Sequence, residues 1–129
     1  MTGEEFIDRF ERGVVPAGSF RHADHVRLAF AYLSQYPVLQ ALERFVSALK
    51  QFAAAQGKPH LYNETITFAY LFLIRERMVR SPVSGWEEFS SLNPDLLIWK
   101  RGILDLFYRE ETLKSELAKT VFLFPDKCR

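Results

Sequence analysis

Residues Phe20–Tyr36 read FRHADHVRLAFAYLSQY, a basic, histidine-bearing head followed by an apolar body. In the body, Val26, Ala29, Phe30 and Leu33 recur at i, i+3, i+4 and i+7, the spacing that gathers side chains on one face of an α-helix. The helix is expected to start at His22 or Asp24 and to run to about Gln35. Pro37 is expected as the first residue of the next helix, where its missing N–H costs nothing. That helix carries Val38, Leu42, Phe45, Val46, Leu49, Phe52 and Ala53 along one stripe and is capped by Gly57. A join as short as Gln35–Pro37 makes the two helices antiparallel neighbours.

Upstream, Thr2 and Glu5 make a T-x-x-E capping box ahead of Phe6, Ile7 and Phe10, and Gly13 ends that helix. Val14–Ser19, with Pro16 and Gly18, reads as a loop. Downstream, Asn63 is a good N-cap for a helix from Glu64 to about Val79, with Glu64 placed to suit the macrodipole. Its body, ITFAYLFLI, is apolar on nearly every side, which marks it as the most buried helix. A β-strand is the competing reading, because Ile66, Thr67, Phe68, Tyr70 and Phe72 favour strands. Length, the cap and the charged continuation RERMVR favour the helix. Ser84 and Glu87 suggest a capping box over a short helix holding Trp86 and Phe89. Asn93–Pro94 precedes Leu96, Leu97, Trp99, Ile103, Leu104 and Phe107, a segment that Gly102 kinks or divides. Ser115 caps a last short helix, and Phe122–Pro125 closes the domain. The expectation is an all-α single domain over residues 1–129, a bundle of about five to seven helices with a Phe-rich core. Phe45 and Phe68 are counted among its buried residues, each worth roughly 3–5 kcal/mol if truncated to Ala.

Composition agrees with one folded unit. In 129 residues, 48% are hydrophobic and 12 are Phe, enough for a single core and too apolar for disorder. Lys plus Arg number 17 against 16 acidic residues, so the chain has no broad field to attract nucleic acid or an anionic membrane. One cysteine, Cys128, can form no internal disulfide, which suits a reducing, cytoplasmic setting. The opening MTGEEFIDRFERG lacks the basic start and apolar run of a signal peptide. The apolar run near Ile66–Ile74 is about half a membrane span.

Chemistry-bearing residues gather at two helix mouths. His22 and His25, spaced i, i+3, share a face if the helix has begun by His22. Such a pair can hold a divalent ion such as zinc or iron from one side, with Glu64 or His60 supplying a further ligand and Asp24 supporting the set. The competing reading is that Asp24 caps the helix and the histidines are neutral hydrogen-bonding groups near its start. Arg27 either pairs with Asp24 on the surface or points inward to anchor an anionic substrate. Glu64 either serves the helix dipole or is partly buried with a raised pKa suited to proton transfer. Tyr62, Asn63, Thr65 and Thr67 are candidates to line the same cavity, although Thr67 can also bond back to its own backbone. Trp86 and Trp99 read as core, and Arg75, Arg77 and Arg80 as a solvated helix end. Three functions stay open: an enzyme, with or without metal assistance, built on His22, His25 and Glu64; a small-molecule-binding or accessory protein; and a protein-interaction module.

The blocks F-x-H-A-D-H-V-R-L-A-F at Phe20–Phe30, F-A-x-A-x-G at Phe52–Gly57 and Y-N-E-T-I-T at Tyr62–Thr67 resemble a family of small, uncharacterised bacterial all-helical proteins. N-P-x-L-L at Asn93–Leu97 and F-P-D at Phe124–Asp126 fit the same pattern, so the resemblance spans most of the chain. The family's second block usually reads Y-H-E-T, which implies a histidine where this chain has Asn63. The resemblance implies that these segments form a site and implies no reaction.

Overall fold

A computed structural model describes residues 1–127, and Cys128 lies outside the described residues. Seven α-helices occur among them, with no strand. α1 spans Gly3–Glu11, α2 His22–Gln35, α3 Val38–Ala55, α4 Glu64–Arg80, α5 Trp86–Leu92, α6 Glu110–Leu113 and α7 Glu116–Thr120. The strand reading of Ile66–Phe72 therefore gives way to helix. Asn63 accepts the Ile66 N–H at 2.9 Å, which closes the α4 N-terminus and starts the helical ladder.

The other local signals act as their chemistry requires. Thr2 and Glu5 exchange hydrogen bonds as a capping box. Ser115 accepts from the Ala118 N–H to open α7. Gly13 and Gly57 take φ +72°, the left-handed conformation that ends α1 and α3. Two expectations change. Glu88 rather than Glu87 reaches back to the Ser84 N–H, at 2.8 Å, ahead of α5. The segment after Asn93 is two 3₁₀ turns, Pro94–Leu97 and Ile103–Leu106, instead of one helix. Gly102 divides them, because a Cβ there would lie 2.6 Å from the Ile98 carbonyl oxygen and 3.0 Å from that of Trp99.

α2 is the centre of the bundle. It touches α1, α3, α4, α5 and the Pro94–Leu97 turn. Val26, Leu28, Ala29, Phe30, Ala31 and Tyr32 are all buried, so contact surrounds it on every side. This corrects the expectation for α4, which buries Thr65, Thr67, Tyr70, Leu71 and Ile74 but leaves Phe72 and Val79 in solvent. Phe10, Phe30, Phe45 and Phe89 lie in the core, joined by Tyr32, Tyr70 and Tyr108. Phe45 is buried as expected, whereas Phe68 is only half-buried and stacks on Phe122 with ring centroids 5.8 Å apart.

The C-terminal segment is tied down by polar contacts. The Thr65 hydroxyl, fully buried, donates to the Val121 carbonyl and accepts from the Leu123 N–H. Tyr108 donates to the Leu123 carbonyl at 2.7 Å, and Asp126 accepts from the Arg109 N–H and the Thr112 hydroxyl. No helix of the described residues is long and apolar enough to cross a membrane.

Candidate functional site

Starting α2 at His22 brings the two imidazoles onto one face, but they take different partners. His22 Nε2 stands 2.9 Å from the Leu96 carbonyl oxygen. A carbonyl only accepts, so Nε2 carries the proton and Nδ1 of the neutral ring keeps its lone pair. The ring packs edge-on against Tyr70 at 4.9 Å and beside Trp99 at 5.1 Å. Burial lowers its pKa, opposed by the bond to Leu96, so the ring is neutral at neutral pH. One turn later, His25 lies against Phe20 with centroids 4.3 Å apart, and Phe20 in turn packs on Phe10 and Phe52. Burial first, and then the neighbouring His22, pull the His25 pKa down to about 4.

α4 presents Tyr70 to this corner. The Tyr70 hydroxyl is pushed up to about pKa 12 by burial and by the carboxylates of Asp105 and Asp95. Gly102 lets the 98–102 backbone approach it, since a Cβ there would be 3.2 Å from the hydroxyl oxygen. Trp99 caps the corner while remaining 56% exposed, which corrects its reading as a core residue. Arg77 holds the Pro94–Leu97 turn in place, donating to Asn93 and to both oxygens of Asp95, so it is not the free helix-end cation expected. The His25 ring and the Tyr70 hydroxyl have no hydrogen-bond partner among the described residues. No fully buried side-chain polar atom there lacks one, so both groups reach solvent.

The other predicted residues are placed elsewhere. Asp24 accepts the Arg21 N–H at 3.0 Å and closes the start of α2. Arg27 lies over the Phe6 ring and donates to the Met1 carbonyl rather than to Asp24 or a cavity. Glu64 accepts the Tyr62 hydroxyl at 2.6 Å, which together with burial drives the Tyr62 pKa upward. Lys50 stands over the Tyr62 ring, and Glu64 borders an open groove of about 430 Å³ between α3 and α4. Asn63 spends its amide on the Leu113 carbonyl and its oxygen on the helix cap. Thr67 donates back to the Asn63 carbonyl. His60 is exposed in the Pro59–Leu61 turn.

Glu64 consequently lies away from the His22 ring. His22 packs on Tyr70, which lies six residues along α4 from Glu64. That separation is about 9 Å of helix rise and roughly 120° of rotation. Among the described residues no three His, Cys, Asp or Glu side chains form a group able to hold a metal ion. The expected ligand set of His22, His25 and Glu64 for zinc or iron is not assembled. Tyr70, the Leu96 carbonyl and Gly102 escape a reading of the sequence because they meet His22 only after α4 and the Pro94–Leu97 turn dock on α2. The one local sign was the glycine itself, placed where a helix would not want it.

Comparisons with protein-family models, with curated proteins and with solved structures found no match to this chain.

Proposed function

We propose that the protein binds a small, uncharged planar molecule at the corner formed by His22, His25, Tyr70 and Trp99, without catalysing its conversion. The observation that carries this reading is the tethered His22 ring, held through Nε2 by Leu96 and flanked by Tyr70 and Trp99, with no hydrogen bond to its other nitrogen among the described residues. Fixed hydrogen-bonding atoms beside an exposed aromatic face orient a ligand that stacks and hydrogen-bonds at once. His25, with a pKa near 4, is too weak a base to take a proton at neutral pH and serves as an acceptor. The carboxylates of Asp95 and Asp105 near Tyr70 disfavour an anion. Among the described residues no three side chains supply the donor set of the metal-assisted reading, and Glu64 is engaged by the Tyr62 hydroxyl. Resemblance to the small bacterial helical family, and a cytoplasmic setting suggested by the lone Cys128, are part of the same proposal.

A panel of phenols, hydroxypyridines and aromatic amides, followed by Trp fluorescence and by amide and imidazole chemical shifts, tests it. Shifts concentrated at His22, His25, Tyr70 and Trp99, and lost in Trp99→Ala and His22→Ala proteins that remain helical, are the expected result. Binding that is indifferent to both substitutions, or no binding across the panel, overturns the reading.

A further inference from the structure

α4 is apolar on two faces: one is buried in the core, and the other is covered only in part, Phe68 stacking on Phe122 while Phe72 and Val79 stay exposed. Thr67, Tyr70, Leu71 and Ile74 point into the core. Glu64, Phe68, Phe72, Arg75 and Val79 fall within a band of about 80° on the outer side, given 100° per residue. Phe72 is 43% exposed and Val79 64% exposed, and Leu61, just before the helix, is 63% exposed. The chain as a whole exposes 8111 Å². A monomer of 15.1 kDa ordinarily exposes about 7,100 Å². The excess of about 1,000 Å² belongs to the whole chain, with Phe72 and Val79 contributing alongside other exposed apolar residues such as Leu39, Leu106 and Phe124, and it exceeds the roughly 800 Å² that one partner contributes to a standard interface.

We propose that this face of α4 packs against α4 of a second copy of the chain, antiparallel, about a two-fold axis passing near Ala69 and Tyr70. The sequence of the stripe is self-complementary about that point. Reversing the helix sets Phe68 opposite the partner's Phe72 and Glu64 opposite the partner's Arg75, and the two-fold repeats each pair. Glu64 and Arg75 fall within about 20° of each other around the helix, so the operation leaves them on the same side of the contact. Glu64 has one oxygen engaged by Tyr62, which leaves the other for an ion pair. Arg75 is exposed and makes no ion pair among the described residues, unlike Arg77 and Arg80. An isologous contact needs such a self-matching pattern. Antiparallel alignment also sets the helix dipoles favourably. The exposed apolar side chains of α4 find partners, which their isolation in a monomer does not provide.

Sedimentation equilibrium of the whole chain, with circular dichroism as the folding control, tests the assignment. The expected mass is twice 15.1 kDa. Phe72→Glu should return it to the single-chain value with the helical spectrum intact, since Phe72 lies outside the core. Glu64→Arg alone and Arg75→Glu alone should each weaken the dimer by setting like charges face to face. The double exchange Glu64→Arg with Arg75→Glu should restore it. A single-chain mass at every soluble concentration overturns the proposal and leaves the face to a different occupant. A dimer that survives Phe72→Glu, or one that the double exchange fails to restore, overturns the face or the register.

Discussion

Lowering the pH should expose the cost of keeping His25 neutral inside an aromatic nest. Its pKa is about 4 in the folded protein, against 6.5 as the ordinary value. Between those two values the unfolded chain binds a proton that the folded chain refuses. Stability therefore falls as pH drops from neutral toward 4. Going from pH 7 to about pH 4.5, the loss from this one residue is on the order of 2 kcal/mol. For 129 residues the unfolding entropy is about 0.27 kcal/mol/K, so Tm falls by roughly 7 °C. His22, also lowered by burial, adds to the loss in the same direction. The perturbation is His25→Phe, which keeps a ring against Phe20 and removes the titration. Urea unfolding of both proteins at the two pH values is the assay. The difference between them should widen on acidification by about 2 kcal/mol in favour of the variant. Carboxylates with lowered pKa, such as Asp95 paired with Arg77, remain in both proteins and cancel in the comparison. Equal acid losses in the two proteins would refute the reasoning.

Thr65→Val keeps shape but removes a hydroxyl that satisfies the Val121 carbonyl and the Leu123 N–H; it should cost about 2–4 kcal/mol and loosen the C-terminal segment, read by hydrogen exchange at residues 121–123. Phe45→Ala should cost roughly 3–5 kcal/mol in chemical unfolding, while Phe68→Ala should cost clearly less, because Phe68 is only half-buried. Gly102→Ala should destabilise by about 1–3 kcal/mol and shift the Trp99 fluorescence, since its Cβ must displace two backbone carbonyls beside Tyr70. An unchanged Trp99 spectrum in that variant would separate Gly102 from the site.

Most structure that arises from neighbours in the chain was legible in the sequence, the contact to Ser84, made by Glu88 instead of Glu87, being an exception. The Thr2–Glu5 box, the Asn63 and Ser115 caps, the left-handed Gly13 and Gly57 and the short Gln35–Pro37 join are local devices, and each acts within a few residues. So the α2–α3 hairpin and the all-helical class were legible. The direction in which a uniformly apolar helix faces is not a local property. The run ITFAYLFLI has no polar side to orient it, so only docking against α2 selected Tyr70, Leu71 and Ile74 for the core and left Phe72 and Val79 outside. The same docking decided what His22 faces. Spacing i, i+3 put His22 and His25 together, but His22 met Tyr70 in the middle of α4 instead of Glu64 at its head. The carbonyl of Leu96, 74 residues away, then fixed which His22 nitrogen holds the proton. A main-chain atom of an irregular turn leaves no mark in residue types, and its position depends on Arg77, Asn93 and Asp95 meeting across the fold.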